Sequence, residues 1–326
     1  MDTTEVEVRP LIDQRPDPDS FRDAVLQGLK KDPKEIPSKF LYDERGSALF
    51  EAICDLDVYY PTDTEIAIMQ KHGAAIADAV GPRVRLLEYG SGSSRKTRLL
   101  LDRLDAPALY VPIDISRDHL VASAKDLAAA YPHVPVQPVC ADYTQDMNLP
   151  PPPAHAARTV VYYPGSTLGN FQPHEARQFL ASVAEVVGPG GGLLIGIDLR
   201  KDPDVLRAAY NDPEGVTAAF NKNLLRRMNR ELDGTFDLDA FEHQAPWNAD
   251  EGCIEMHLVS QIDQTVSVDG ETIAFEPGER IRTEYSYKFT LDGFATLAAD
   301  AGFTVDTVWT DDEQLFSVQY ATVDTW

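Results

Sequence analysis

Glycines and carboxylates follow apolar segments in the first half of the chain. Gly90 and Gly92 come directly after one such segment. Asp114 ends the next segment, and Asp142 with Tyr143 ends the third. Two glycines let the backbone approach a ligand, a carboxylate at the end of a strand can accept both hydroxyls of a ribose, and a carboxylate beside an aromatic ring can hold an adenine. The pattern predicts a nucleoside-binding crevice.

The two glycines do not by themselves identify the ligand. The dinucleotide fingerprint G-x-G-x-x-G has a third glycine where this chain has Arg95, and a tight turn without a ligand is the alternative. Each carboxylate, taken alone, is equally compatible with a helix cap or a solvated loop position. Polar groups at three successive strand ends nevertheless favour one crevice. Nothing in the sequence resembles the proton-shuttling histidine of a hydride-transfer enzyme, which counts against NAD.

An alternation of strands and helices must position these residues. Near-continuous apolar strands between amphipathic helices are typical of a parallel sheet that is covered on both faces, which predicts an α/β fold. The predicted strands cover residues 84–90, 108–116, 134–143, 159–171 and 193–199. A Gly-Pro-Gly-Gly-Gly break at 188–192 and a tail at 289–323 that predicts a helix and an antiparallel hairpin complete a pattern that resembles Rossmann-type (class I) methyltransferases. The resemblance of these later elements to class I methyltransferases favours S-adenosylmethionine as the ligand.

The alternation stops at Arg200, which predicts a second domain. Helical spacing predicts helices at 21–29, 47–53 and 216–232, and one that runs to Val80 after a cap at Thr62 or Thr64. Alternating residues predict strands at 254–268 and 271–277. The predicted domains are a polar N-terminal arm at 1–20, an α+β substrate-binding domain from 21–60 plus 202–288, and a sheet domain for the cofactor from 61–201 plus 289–326.

Composition excludes several classes of function. The chain has 326 residues with 29 Lys and Arg against 53 Asp and Glu, a net charge of −24, which disfavours a nucleic-acid-binding surface. Its 3 cysteines are widely separated, so neither a disulfide framework nor a zinc site is expected. No apolar run approaches the roughly 20 residues that span a bilayer, and the N-terminus lacks an apolar signal core. We therefore expect a cytoplasmic protein without a metal or a membrane contact.

Longer strings identify a family. They are PSKFLYDERGSALFE at 37–51, YYPTDTE at 59–65, EYGSGSSRKT at 88–97, GSTLGNF at 165–171, AYNDPEGVTAAFN at 209–221, FDLDAFEH at 236–243, IEMHL at 254–258 and RTEYSYKF at 282–289. In this order, and over everything except the first 20 or so residues, the chain resembles histidine Nα-methyltransferases of ergothioneine biosynthesis (the EgtD family). The resemblance implies S-adenosylmethionine-dependent trimethylation of L-histidine to hercynine, by a monomer.

The resemblance also implies roles for individual residues. The residues that would hold S-adenosylmethionine are Gly90, Lys96, Asp114, Asp142 and Tyr143. The residues that would line the histidine pocket are Tyr42, Phe50, Tyr59, Gly165, Asn170, Tyr210, Thr217, Met256, Glu284 and Ser286. Tyr42, Tyr59 and Asn170 would act as catalytic residues that orient the lone pair of the α-amino group while water takes its proton. Glu284 and Ser286 would bind the two imidazole nitrogens.

Without the resemblance, several of these residues have simpler explanations. Tyr42 and Tyr59 are also compatible with core aromatics. Met256 is by default a core filler and Glu284 by default a solvent-facing strand residue, and only the resemblance places Glu284 in a pocket. The chain departs from the family pattern at Tyr163-Pro164 and at Asp63, and neither departure is expected to touch a ligand contact. Two rival functions are considered: methylation of another amino acid such as tryptophan or an indole derivative, and a non-catalytic or NAD-binding Rossmann module.

Overall fold

The computed structural model describes residues 8–15, 17, 19–92 and 94–324, and it divides into two compact units. The first unit comprises residues 1–16, 61–200 and 288–326 as far as they are described, and the second comprises residues 17–60 and 201–287. The units end at residues 16, 60, 200 and 287. The domains expected from the sequence end at residues 20, 60, 201 and 288.

The described residues form the following elements. The strands are β1 (Ile12–Gln14), β2 (Lys34–Glu35), β3 (Val84–Tyr89), β4 (Leu109–Asp114), β5 (Val139–Ala141), β6 (Arg158–Tyr163), β7 (Gly192–Asp198), β8 (Phe241–Gln244), β9 (Trp247–Asn248), β10 (Cys253–Ser260), β11 (Gln264–Val268), β12 (Glu271–Phe275), β13 (Arg280–Tyr287), β14 (Phe303–Thr310) and β15 (Phe316–Val323). The α-helices are α1 (Asp19–Leu29), α2 (Glu44–Cys54), α3 (Tyr60–Val80), α4 (Arg95–Leu101), α5 (Arg117–Ala130), α6 (Pro173–Val187), α7 (Pro203–Tyr210), α8 (Val216–Glu231) and α9 (Leu291–Asp300).

Within its described residues, the first unit is built on an eight-stranded sheet in the order β1-β5-β4-β3-β6-β7-β15-β14. The strands from β1 to β7 pair in parallel, and β15 and β14 continue the sheet in antiparallel fashion. The chain runs outward from β3 through β4 to β5 and then returns to β6 on the other side of β3. The order therefore reverses between β3 and β6, where ligands of such sheets bind. The predicted α/β class and the closing hairpin are confirmed.

The near-continuous apolar strands have their side chains in two separate cores. Leu86 of β3 and Tyr110 of β4 belong to one buried cluster, whereas the next residues along each strand, Leu87 and Val111, belong to another. Successive side chains of a strand point to opposite faces, so both faces of this sheet are covered. Packing on both faces holds the strands in place, and the predicted cofactor-binding residues lie at or after their carboxyl ends.

The second unit is smaller and mixed. Strands β2, β13, β10 and β8 form a sheet in that order, and β9 also pairs with β10. A separate hairpin consists of β11 and β12. One apolar core, which includes Val25 of α1, Leu224 of α8 and Ile281 of β13, joins the helices to the sheet. This unit thus combines helices from both of its chain segments with the strands of the central segment.

The structure corrects four expectations about secondary structure. Residues 12–14 of the expected polar arm form β1, which pairs in parallel with β5, while residues 1–7 lie outside the described part. Helix α3 begins at Tyr60, so Thr62 and Thr64 lie inside it; Pro61 fits there because the first turn of a helix needs no N–H donor. The expected strand at 254–268 is interrupted between β10 and β11. Helix α7 was not expected from the sequence. No helix in the described ranges is both long and apolar enough to cross a bilayer.

Candidate functional site

The glycine turn after β3 brings the backbone close to an aromatic ring. Gly90 has φ +72° and Gly92 φ +45°, in the left-handed region that favours glycine. The N–H groups of Gly90 and Ser91 both donate to the carbonyl oxygen of Ile113, at 2.9 and 3.2 Å. A Cβ atom on Gly90 would come within 3.9 Å of Cε1 of Tyr143. The turn is therefore tied to β4 and lies beside the predicted adenine-binding residue.

The carboxylate of Asp114 is oriented by two backbone donors at the end of β4. The N–H of Gly92 donates to Oδ2 at 3.2 Å, and the N–H of Ser116 donates to Oδ1 at 2.9 Å. Burial raises the pKa of Asp114, and the two N–H groups offset part of that rise. Each carboxylate oxygen keeps a further lone pair, so the group is able to accept hydrogen bonds from two vicinal hydroxyls.

Asp142 and Tyr143 follow β5 within a group of packed aromatic rings. Asp142 Oδ1 accepts hydrogen bonds from the N–H and hydroxyl of Thr144, at 2.9 and 2.6 Å. The ring of Tyr143 stacks on Tyr89 with centroids 5.4 Å apart, and burial raises its pKa to about 12, so the phenol stays neutral. The hydroxyl of Tyr163 lies 3.5 Å from that of Tyr143. The expectation that Tyr163 touches no predicted ligand contact is therefore wrong.

Lys96 and Gly165 both donate hydrogen bonds to the carboxylate of Glu65, which was not among the predicted site residues. The ammonium of Lys96, near the start of α4, donates a hydrogen bond to Oε2 of Glu65 in α3. The N–H of Gly165, after β6, donates to the same oxygen at 2.9 Å. The string YYPTDTE contains Glu65, and a carboxylate on an apolar helix face was the available signal. Asn170 ends the 3-10 turn Thr167–Asn170 that follows Gly165.

Glu88 is a second buried carboxylate in the first unit. Only 1% of it is exposed, and it accepts hydrogen bonds from the hydroxyls of Thr97, at 2.7 and 2.8 Å, and of Tyr110. Burial raises its pKa from 4.5 to about 7, although these hydrogen bonds and the charge of Lys96 lower it. Folding therefore favours its protonated form. This contribution to stability is complete below the unfolded pKa and is lost as pH rises through the folded one.

Glu88→Gln should remove that pH dependence. Between about pH 5.5 and about pH 8, the wild-type free energy of unfolding should fall by ~2 kcal/mol relative to the variant. Urea denaturation of both proteins at the two pH values measures the difference. Glu185→Gln, on the exposed side of α6, is the matched control and should follow the wild type. If the free energy of unfolding changed with pH equally in the wild type and in Glu88→Gln, the pKa of Glu88 would be the same in the folded and unfolded states.

In the second unit, four predicted aromatic residues form a continuous set of edge-to-face contacts. Tyr42 lies 5.5 Å from Phe50 and 5.4 Å from Phe220, measured between ring centroids. Phe50 lies 6.4 Å from Tyr59, which lies 6.1 Å from Tyr210. Burial, together with these neighbouring phenols, raises the pKa of Tyr59 well above its ordinary value. Tyr59 is thus a neutral hydrogen-bonding group at physiological pH.

Polar residues of β13 face the same set. The hydroxyls of Tyr210 and Ser286 are 2.7 Å apart and share a hydrogen bond. Glu284 is directly opposite Met256 in the β10–β13 pairing, just before a register shift in β10. Only 9% of Glu284 is exposed, and Met256 is buried. The alternative that Glu284 is an ordinary solvent-facing strand residue does not hold.

A buried network holds Tyr210 from its backbone side. The amide of Asn221 donates to Nδ1 of His243 at 2.9 Å and to the carbonyl of His257 at 3.0 Å, and it accepts from Thr283 at 2.6 Å. Nδ1 of His243 is then an acceptor, so Nε2 carries the proton and donates to the carbonyl oxygen of Tyr210 at 2.9 Å. Burial lowers the pKa of His243, which keeps the ring neutral. No sequence pattern marks His243 as part of this network, although it lies in the string FDLDAFEH.

The structure thus groups the predicted residues by unit. In the first unit, the predicted residues lie at the carboxyl ends of the parallel strands or in the segments that follow them: Gly90, Lys96, Asp114, Asp142, Tyr143, Gly165 and Asn170. In the second unit, Tyr42, Phe50, Tyr59, Tyr210, Met256, Glu284 and Ser286 are linked by the contacts above, and Thr217 lies in α8, where its N–H donates to Asp212 at 2.8 Å. Among the described residues, no cluster of His, Cys, Asp and Glu suited to a metal ion is present.

Known proteins resemble this chain over nearly its whole length. A family model described as histidine-specific, SAM-dependent methyltransferase matches residues 21–323. A histidine N-alpha-methyltransferase of Mycolicibacterium smegmatis is 41% identical over 308 residues, which cover 93% of this chain and 95% of that protein. Ergothioneine biosynthesis protein 1 of Neurospora crassa is 31% identical, over 86% of this chain and 32% of the fungal protein. A 4-dimethylallyltryptophan N-methyltransferase of Claviceps fusiformis is 26% identical, over 90% and 89%.

Proposed function

Because this chain belongs to the family of S-adenosylmethionine-dependent, histidine-specific methyltransferases, we propose that it methylates the α-amino nitrogen of L-histidine three times to give hercynine, the first step of ergothioneine biosynthesis. The predicted family, enzyme class and cofactor are confirmed by this membership. The structural observation that carries the choice of substrate is the buried Glu284, on the same strand as Ser286 and beside Met256.

The residues of the first unit fit S-adenosylmethionine. The Gly90 turn brings glycine backbone beside the Tyr143 ring without an intervening side chain, and the oriented Asp114 carboxylate presents acceptors for the ribose hydroxyls. Asp142 would accept from the adenine amino group, and Lys96 would offer its positive charge to the carboxylate of the cofactor. The cofactor supplies an electrophilic methyl group on a sulfonium, so the protein has chiefly to position the two reactants.

The residues assigned to the substrate divide between its three groups. Glu284 would accept from one imidazole nitrogen, and Ser286, held by Tyr210, would bind the other. Asn170 and Tyr210 would bind the carboxylate without adding positive charge. Tyr42, Tyr59 and Asn170, with the Gly165 backbone, would orient the lone pair of the amine. Phe50 and Thr217 would complete the lining of the pocket.

Neutral phenols suit a nitrogen that gains charge during the reaction. The raised pKa of Tyr59 makes it a hydrogen-bonding group and not a general base, so the amine proton would leave to water. As methyl groups accumulate, the nitrogen becomes a permanent cation without N–H donors. The faces of Tyr42 and Tyr59 would then stabilise it by cation–π attraction.

The rival substrate, tryptophan or an indole derivative, is less well supported. The tryptophan-derivative enzyme is 26% identical to this chain, against 41% for the histidine enzyme. An indole is larger than an imidazole, and it would leave the second hydrogen-bonding position facing Glu284 or Ser286 without a matching nitrogen. A non-catalytic or NAD-binding module is not supported, since the matched family consists of methyltransferases.

Incubation of the purified protein with S-adenosylmethionine and L-histidine tests the proposal. We expect mass spectrometry to show histidine with one, two and finally three added methyl groups, and fragmentation to place all of them on the α-nitrogen. Nα-acetylhistidine, whose amine is blocked, should give no product, and tryptophan should react much more slowly. Methylation on the ring, or equal rates for tryptophan, would contradict the assignment.

The proposal includes the setting of the reaction. Both reactants are small cytoplasmic metabolites, so we propose a cytoplasmic enzyme that acts as a monomer and without nucleic acid. The net charge of −24 favours solubility and opposes phosphate binding. Light scattering on the eluting protein should give the mass of one 36.0 kDa chain. A stable dimer would overturn this part.

A further inference from the structure

Glu65 connects one residue of each predicted binding set through a single atom. Its side chain is fully buried, with 0% exposed, and its Oε2 accepts from both the Lys96 ammonium and the Gly165 N–H. Lys96 belongs to the proposed cofactor set and Gly165 to the proposed histidine set. Nζ of Lys96 would lie 3.6 Å from a Cβ on Gly165, so the two donors are also close neighbours.

The carboxylate of Glu65 packs directly against the backbone of β7. A Cβ on Gly196 of β7 would lie 2.2 Å from Oε1 of Glu65, so the carboxylate occupies the space above that glycine. Such a distance is shorter than any real contact, and glycine is therefore needed at position 196 for this arrangement. Glu65 is therefore packed against the sheet of the first unit, and one of its oxygens accepts from both donors.

The turn that contains Gly165 needs such support. Gly165 has φ +78° and the following Ser166 has φ +56°, a left-handed conformation that a residue with a side chain rarely adopts. The hydroxyl of Ser166 accepts from the N–H of Asp198 at 2.9 Å on the β7 side. Glu65 accepts from the Gly165 N–H, so the turn is tethered at two successive residues.

We propose that Glu65 is a positioning residue that couples cofactor binding to histidine binding. The proposal rests on the proposed function, and it adds a residue and a mechanism to it. Any change in the position or charge pairing of the Lys96 ammonium alters the acceptor that holds the Gly165 N–H, because both use one oxygen. Occupation of the cofactor site therefore changes how firmly the Gly165 turn is held for the amino acid, and the reverse follows by linkage.

Glu65→Gln tests the coupling, since it keeps the shape and removes the charge. Calorimetry gives the dissociation constant of S-adenosylhomocysteine, and that of L-histidine with and without S-adenosylhomocysteine. For the wild type we expect S-adenosylhomocysteine to tighten histidine binding by roughly 5-fold or more, and for Glu65→Gln we expect less than about 2-fold. Glu185→Gln, which removes an exposed charge from α6, is the matched control and should keep the wild-type ratio.

A double-mutant cycle separates positioning from simple structural support. Glu65→Gln should weaken S-adenosylhomocysteine binding by roughly 5- to 10-fold in the wild-type background but by less than about 2-fold in the Lys96→Met background. If Glu65→Gln does not fold, Glu65→Asp serves in its place, because it withdraws the oxygen from both donors and should lose the same coupling. A lower melting temperature with unchanged coupling would overturn the proposal, and so would additive effects in the cycle.

Failure of the proposed function would be recognised separately. The cycle with S-adenosylhomocysteine needs no methyl acceptor, so it reports on Glu65 and Lys96 even if the wild type leaves histidine unmethylated. Conversely, a wild type that methylates histidine but shows no coupling between the two ligands would overturn the inference and leave the proposed function intact.

Discussion

Asp114→Ala is expected to weaken binding of S-adenosylmethionine by roughly 10- to 150-fold while the protein remains folded. The carboxylate is fixed by the N–H groups of Gly92 and Ser116, so it meets the ribose hydroxyls already oriented. Hydrogen bonds to a charged group contribute roughly 1.5–3 kcal/mol, and alanine removes them together. The two N–H groups lose their acceptor as well, but both belong to half-buried residues outside the strands.

Calorimetric titration with S-adenosylmethionine and with S-adenosylhomocysteine measures this effect. Both ligands carry the same ribose, so both should lose affinity by a similar factor. Asp118→Ala is the matched control: its side chain is 94% exposed in the first turn of α5, and its removal should leave both dissociation constants unchanged. Unchanged binding by Asp114→Ala would remove Asp114 from the cofactor site.

The parallel sheet was predictable because its signal is local. Each of its buried strands is a short apolar run, and the alternation with amphipathic helices appears in the sequence without knowledge of distant contacts. Leu86 and Leu87 illustrate the point, since they are adjacent in sequence but enter different cores. The short strand β1 was not predictable in this way. It forms because Ile12–Gln14 pairs in parallel with β5, which is more than 120 residues away in the sequence.

The candidate site was predictable only where residue type and position coincide. Asp114 and Tyr143 stand at strand ends, where the sheet itself gives them a common location. Glu284 and Met256 were identified through the resemblance, because their alternating strand pattern alone also fits a solvent-facing carboxylate and a core filler. Glu65 and His243 were missed since their importance lies in their partners. A carboxylate on an apolar helix face is a weak signal by itself, and the role of Glu65 becomes visible only when Lys96 and Gly165 converge on one of its oxygens.

Glu284→Ala is expected to lower kcat/KM for histidine by roughly 5- to 150-fold. An imidazole N–H that loses its carboxylate acceptor in a confined pocket stays unpaired, at a cost of about 1–3 kcal/mol. The same substitution frees volume beside Met256, which is directly opposite Glu284 on β10. A larger apolar ring should therefore be tolerated better, and shortening Met256 to Val in the same protein should extend that gain.

Steady-state kinetics with histidine and with tryptophan decide whether Glu284 reads the imidazole. The ratio of the two kcat/KM values should move toward tryptophan in Glu284→Ala and move further in the double variant with Met256→Val. Glu242→Ala, an exposed carboxylate on β8 of the same sheet, should leave the ratio unchanged, which separates a local effect from a general loss of negative charge. Histidine kinetics at the wild-type level in Glu284→Ala would mean that the carboxylate does not bind the imidazole, and recognition of the side chain would then have to rest on Ser286 and Tyr210.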